Sequence, residues 1–417
     1  MHHFHYKKNQ MYCEDVPVSE IAQEVGTPFY LYSHATLRHH FLTFKKAFEG
    51  VDHLVCFSAK SNSNLAVLGL FAGLGGGLDI VSGGELFRGL KAGIPSKKIV
   101  FSGVGKGEEE IAYALESDIL MFNVESFQEL LLIDQCAARL NKRAPVALRV
   151  NPDVDPKTHP YISTGLKKNK FGLNVGAVVD AYKAAHDCAN TDVIGISCHI
   201  GSQVTEVAPF IDALLRIKEL VATLEAQGIS ISYLDLGGGL GITYDQEAPP
   251  HPTEYGKAII ETLGQAPVTL ILEPGRVIVG NAGILVTQVL YTKAGEEKDF
   301  VIVDAAMNDL VRPSLYDAYH GIQPVVRDQE GTAKADVVGP ICESGDFLAR
   351  DREIAQVQSG DLLAIMSAGA YGFTMSSNYN SRRRVAEVMV KGDQFFVVRK
   401  RESYEDLIRG ESIPPFL

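Results

Sequence analysis

LVCFSAK (54–60), LDIVSG (78–83), KIVFSG (98–103), DILMFNV (118–124), VALRVN (146–151), VIGISCHIG (193–201), YLDLGGG (233–239) and LILEPGR (270–276) are eight apolar runs along one reach of the chain. Each is rich in β-branched residues and is followed by Gly, Ser, Asn or Pro. Continuous apolar runs of this length predict strands buried on both faces, as in a parallel sheet. Helical patterns lie between them: NLAVLGLFAGL (64–74), GGELFRGLKAGI (83–94), SFQELLLIDQCAARL (126–140) and PFIDALLRIKELVATLEAQGI (209–229). Their apolar residues recur at helical spacing, and several of these stretches end near Gly. Strand and helix alternating eight times over about 220 residues is what a (β/α)8 barrel requires. An open doubly wound sheet is the alternative, and the count of eight favours closure.

Beyond about residue 280 the period changes from helical to alternating. GILVTQVLYTKA, DFVIVDAA, DLLAIMSAGAYG, VAEVMV and QFFVVRK read as strands, with KGD (391–393) as a hairpin turn between the last two. FYLY (29–32) reads as a strand ahead of the barrel. The expected organisation is therefore residues 1–32 joining a β domain, 33–280 as an α/β barrel, and 281–417 as a C-terminal, mostly β domain.

The composition suits a multidomain globular chain: 417 residues, 46% hydrophobic and 22% charged. A formal net charge of −12 speaks against a nucleic-acid partner. No stretch reaches the roughly 18 apolar residues of a membrane span, and MHHFHYKKNQ (1–10) lacks the apolar run of a signal peptide. His2, His3 and His5 suggest either a metal site or a polar tail, and the tail is the simpler reading. Cys13, Cys56, Cys136, Cys188, Cys198 and Cys342 form no CxxC pair, so neither a zinc knuckle nor a thioredoxin motif is present, and no bound metal is expected. Reduced thiols in a cytoplasmic protein is the expectation.

Barrel chemistry sits at the C-terminal ends of the strands. That rule gathers Lys60, Asp79 with Ser82 and Gly83, His199 with Ser202, Gly237 to Gly239, and Glu273 with Arg276. The rim then carries an amine, an imidazole, a glycine turn, a carboxylate and a guanidinium. Three glycines let bare N–H groups approach an oxyanion, and phosphates often bind after strands seven and eight. The same run also serves as a tight turn. Gly at 242, which a dinucleotide fingerprint would need, is absent, because Ile242 stands there. Each residue also has a plain role. A strand-end lysine is usually solvated, a histidine there is often a hydrogen-bonded core residue, and Glu273 could pair with Arg276. Flanked by an apolar strand, the Lys60 amine could be desolvated, as Schiff-base chemistry needs.

CFSAKSN, LDIVSGGEL, HPYISTGLKKNKFG, HIGSQ, DLGGGLGI, EPGR, RPSLYDAYH, CESGDFLARD and SAGAYG together resemble the diaminopimelate decarboxylases, in the fold-type III, alanine-racemase-like group of pyridoxal-phosphate enzymes. The likeness runs in order from about residue 20 to 400. It implies that Lys60 carries the cofactor as a Schiff base. It also implies that Asp79, His199, Ser202, Gly239, Glu273, Gly275, Arg276 and Tyr371 contact the cofactor. Arg276, Arg312, Tyr316, Glu343 and Tyr371 are similar to the substrate-binding set. Cys342 resembles a proton donor that acts in the partner subunit of a homodimer with shared sites. The implied reaction converts meso-diaminopimelate to L-lysine and CO2. Arg312 and Glu343 suit the far carboxylate and ammonium of that substrate. They speak against an ornithine- or arginine-type decarboxylase on the same fold. Retention of Lys60, Cys342 and Glu273 speaks against a noncatalytic homologue, and the CESGD context of Cys342 against a racemase. HPYISTGLKKNKFG, after strand five, is expected to close over substrate as a lid. Ser61 stands where alanine is common, and its hydroxyl is expected to add a hydrogen bond near the cofactor.

Overall fold

The computed structural model describes residues 2–155, 170–327 and 331–417. The chain forms two compact units, residues 38–278 and residues 1–37 with 279–417.

The first unit is a closed barrel of eight parallel strands. They are β1 (His53–Ser58), β2 (Gly77–Ile80), β3 (Ile99–Phe101), β4 (Met121–Val124), β5 (Ala144–Asn151), β6 (Thr191–Ser197), β7 (Tyr233–Asp235) and β8 (Thr269–Leu272). Closure is direct, since Leu270, Ile271 and Leu272 of β8 lie beside His53, Leu54 and Val55 of β1. Helices Leu65–Gly73, Gly83–Lys91, Glu108–Glu116, Phe127–Leu140, Val175–Asp187, Ala208–Glu225 and Pro252–Leu263 follow the first seven strands. After β8 there is a single turn, Arg276–Val279. The end of the helix preceding β1 fills the outer layer there. Its Phe41 stacks on Phe71 at 4.9 Å, and Phe44 and Phe48 meet Tyr255.

Side chains two apart on a strand share a face, and this places the chemistry. Cys56, Val100, Met121, Ala147 and Ile271 form one apolar cluster drawn from five strands, with Tyr233 of β7 packed against it. Two residues further along these strands stand Ser58, Ser102, Asn123, Arg149, Glu273 and Asp235. Each is 8% exposed or less. Asp79 and Ser197 complete this layer from β2 and β6. An apolar plug thus fills the lower barrel, and a buried polar layer lies over it toward the C-terminal ends. Burying so many polar groups is costly unless they bond one another or a ligand.

The second unit is a sheet centred on the long strand Gly283–Lys293. That strand pairs antiparallel with Phe29–Ser33, Asp299–Val303 and Leu362–Ile365. Phe29–Ser33, the expected early strand, lies between Gly283–Lys293 and Ala386–Lys391. Lys391, Gly392 and Asp393 turn the chain into Gln394–Arg399, with Gly392 at φ 62°.

The polar-tail reading of the first ten residues is wrong. Phe4–Lys7 and Gln10–Cys13 form an antiparallel hairpin. Lys8 and Asn9 turn it at φ 48° and 65°, the left-handed pair that a two-residue hairpin needs. Alternation at Phe4, Met11 and Cys13 buries one face in the core of this unit, and His3 bonds Thr36 through both its backbone N–H and its ring.

Candidate active site

A cavity of about 170 Å3 opens among the strand ends of the barrel, lined by Lys60, Ser102, Asn123, Arg149, His199 and Glu273 among others. A larger hollow of about 370 Å3 in the β unit, beside Pro324, Arg327 and Gln356, holds none of the residues singled out by sequence.

Lys60 follows β1 in a short 3-10 turn. Its ammonium contacts Oδ2 of Asp79, which is fully buried and also accepts a 2.8 Å bond from Ser58 Oγ. The expected desolvation of the amine is only partial, because the Lys60 side chain keeps 35% of its exposure. What holds it is a buried carboxylate. Ser61 directs its hydroxyl to the Ser58 carbonyl at 2.7 Å, so the expected extra bond goes to the backbone of the turn.

Glu273 does not pair with Arg276. Its Oε1 accepts from Ser102 Oγ at 3.2 Å and from Asn123 Nδ2 at 3.3 Å. Asn123 also donates to Asp235 Oδ2 at 2.8 Å. Burial pushes the Glu273 carboxyl well above its ordinary range, and the negative charges of Asp235 and Asp79 push it further. Burial also raises Asp235, to about 6. Three buried carboxyls around one ammonium make this end of the barrel a place for a further cation. Oδ1 of Asp79, Oδ1 of Asn123 and Oγ of Ser197 are buried and have no hydrogen-bond partner among the described residues.

His199 lies just past β6, and its Nδ1 accepts the Gly238 N–H at 3.1 Å. That bond leaves any proton of the neutral ring on Nε2. Burial, then the charges of Arg149 and Lys60, hold His199 well below the usual histidine pKa. Arg276 donates to Ser202 Oγ at 3.0 Å and to Tyr244 Oη at 2.7 Å, which brings the two predicted residues together. The glycine turn is a close approach as well as a bend. A Cβ on Gly238 would lie 2.1 Å from the Glu273 carbonyl oxygen. One on Gly239, at φ +122°, would lie 2.5 Å from the Gly201 carbonyl oxygen.

The remaining predicted residues belong to the β unit. Arg312 is buried and starts a short helix, Arg312–Tyr316. Its Nη1 meets His320 Nε2 at 2.8 Å, while His320 Nδ1 meets the Met366 carbonyl at 2.8 Å. A carbonyl only accepts, so Nδ1 carries the proton and Nε2 accepts from the guanidinium. Cys342 and Glu343 are exposed on one turn, where the Cys342 N–H donates to Asn380 Oδ1 at 2.8 Å. Tyr371 takes a left-handed φ of 56°. The expected lid, HPYISTGLKKNKFG, lies outside the described residues except for Lys170, Phe171 and Gly172.

Ser102, Asn123, Arg149, Ser197 and Asp235 were not expected at the site. Arg149 is held by Glu125 at 2.6 Å and lies 4.8 Å from the Phe171 ring. Six free cysteines are present. No helix among the described residues is long and apolar enough to cross a membrane.

Comparison with known proteins covers the whole chain. The family model "Pyridoxal-dependent decarboxylase, pyridoxal binding domain" matches residues 34–280. The diaminopimelate decarboxylase of Haemophilus influenzae is 52% identical over 414 residues, covering 99% of this chain and 100% of its own. That of Pseudomonas fluorescens is 54% identical over 414 residues, covering 99% of each. The crystal structure of diaminopimelate decarboxylase from Helicobacter pylori, complexed with L-lysine, superposes with a TM-score of 0.91 at 44% identity, covering 94% of this chain and 98% of that one.

Proposed function

We propose, from the premise that this chain belongs to the diaminopimelate decarboxylases of the pyridoxal-dependent decarboxylase family, a division of labour among its residues. The reaction of the family removes one carboxylate of meso-diaminopimelate as CO2 and leaves L-lysine. The observation that carries the residue assignment is that Lys60 and Glu273 line the same barrel cavity.

The cavity suits pyridoxal phosphate on three counts. A primary amine, Lys60, is available to hold an aldehyde covalently. Glu273, forced up by burial among other acids, gains most from a cationic ring nitrogen beside it. The glycine turn, with Ser202 and Arg276, forms a cradle that side chains would fill, suited to a phosphate. Bound there, the cofactor supplies the sink for the electron pair left as CO2 departs.

The chain's own groups do the rest. Asp79 Oδ2 holds the Lys60 ammonium in place. His199, neutral, lines the cavity and is fixed by Gly238. Arg312, steadied by His320, offers a guanidinium to the distal carboxylate of the substrate, and Glu343 takes the distal ammonium, with Tyr316 and Tyr371 as further contacts. The thiol of Cys342 returns a proton to the carbon that lost CO2. Its exposure, with that of Glu343, supports a homodimer in which each subunit completes the other's site. Mixing Lys60→Ala with Cys342→Ala subunits should then raise activity above that of either variant alone, and no gain would refute sharing. Six unpaired cysteines support work in the reducing cytoplasm. The reaction itself is tested by CO2 release from meso-diaminopimelate, ornithine and arginine with added pyridoxal phosphate. Turnover is expected of the first alone, and preference for ornithine or arginine would overturn the substrate reading.

A further inference from the structure

The β unit holds a second polar cavity, of about 280 Å3, lined by Arg382, Arg383, Arg401, Asp304, Ser381 and Tyr404 among others. None of the residues singled out by sequence lies in its lining, and the chain carries a net charge of −12.

Its three guanidiniums are not neutralised by carboxylates in contact. None of them makes an ion pair among the described residues. Arg401 Nη2 donates to the Gly26 and Pro28 carbonyl oxygens, each at 2.9 Å. Arg382 donates to the Asp304 carbonyl oxygen. Arg383 stacks at 4.8 Å on the Tyr404 ring. Asp304 is the acid in the lining, and its carboxylate is already engaged. Oδ1 accepts from Thr287 Oγ1 at 2.6 Å and the Gln288 N–H at 2.9 Å, and Oδ2 accepts from Thr27 Oγ1 at 2.6 Å. Three guanidiniums against one carboxylate leave a formal surplus of two positive charges in the lining.

The electrostatics agree. Arg401 sits below its ordinary pKa, first through burial and then through the charge of Arg383. Asp309, whose charge also acts on Arg401, is itself raised by burial to about 7.

We propose that this cavity binds a phosphoryl dianion, either inorganic phosphate or the phosphate of a phosphate monoester. A carboxylate uses one guanidinium fork, whereas a tetrahedral dianion offers three acceptor oxygens and close to two charges, matching both the number of arginines and the surplus. Ser381, also in the lining, adds a neutral hydroxyl donor.

The test uses enzyme saturated with pyridoxal phosphate, so that the cofactor's own phosphate position is filled. Binding of inorganic phosphate and of adenosine monophosphate is measured by calorimetry, against chloride at equal ionic strength. Saturable phosphate binding is expected, weakened at least about tenfold by Arg383→Gln, the loss of one charge-assisted bond. Arg383→Gln should leave decarboxylation unchanged. Arg401→Gln should weaken binding too, and if that variant fails to fold, Arg383→Gln alone decides. Tighter binding of the monophosphate identifies a phosphate monoester as the ligand, and equal or weaker binding identifies free phosphate. Absence of saturable binding of both over the chloride control, or unchanged affinity in Arg383→Gln, would overturn the proposal.

Discussion

Lys106→Met should cost the barrel about 3–5 kcal/mol, the usual effect of stripping one partner from a buried ion pair. The Lys106 side chain is 1% exposed and that of Glu129 7%, and they meet at 2.7 Å. The same ammonium bonds the carbonyl oxygens of Gly103 at 2.8 Å and Asn123 at 2.7 Å. Gly103 and Asn123 line the barrel cavity that also holds Lys60, so this pair braces the strand ends that shape it. Burial is the largest influence on both partners, pulling Lys106 down and pushing Glu129 up. With methionine in place, Glu129 is left without its cation and with Glu125 nearby. The sign of the pH dependence follows. A carboxyl raised in the folded state binds a proton there that the unfolded chain has released, so stability falls as pH rises through that window. The loss in Lys106→Met should therefore be greater at pH 8 than at pH 5.5. Replacing both partners, as Lys106→Met with Glu129→Leu, removes the stranded charge and should recover most of the loss. Chemical denaturation of the barrel, followed by fluorescence at both pH values, reads all three variants. A single-variant loss below about 1 kcal/mol at pH 8, or a double variant as damaged as the single one, would refute this reasoning.

Gly239→Ala should weaken cofactor binding by tenfold or more, since its Cβ would lie 2.5 Å from the Gly201 carbonyl oxygen, and titration with pyridoxal phosphate measures it. His199 is held well below 6.5 when folded, so the unfolded chain gains a proton there first, and stability should drop as pH falls below about 6.5. His199→Gln should flatten that slope in melting curves taken from pH 7.5 to 5. Cys342→Ala should slow turnover by about a hundredfold or more while leaving the visible cofactor spectrum intact, and an unchanged rate would remove the thiol as the acid.

The barrel was legible because its strands are buried on both faces, and buried strands read as unbroken apolar runs whatever their partners. The early strand Phe29–Ser33 was legible for the same reason, and all five of its residues are buried. The first ten residues were not. Their polar face is solvated, and the apolar alternation at Phe4, Met11 and Cys13 is split by the Lys8–Asn9 turn. At the site, Lys60, His199 and Glu273 were found because they end apolar runs. Ser102, Asn123, Arg149, Ser197 and Asp235 were overlooked although they lie inside the same runs. The signal was present: each stands near its strand's C-terminal end, five of the eight strands carrying one. Taken strand by strand, that alternation outlines the polar layer. Bonds such as Asn123 to Asp235 could not be read so, because they join residues 112 apart in the chain.

Lys60 as the point of covalent attachment is tested most directly by reducing the purified holoenzyme with borohydride and locating the cofactor by peptide mass spectrometry. The adduct should fall on Lys60, with Lys60→Ala unlabelled. An adduct on any other lysine, or undiminished labelling of Lys60→Ala, would contradict the account.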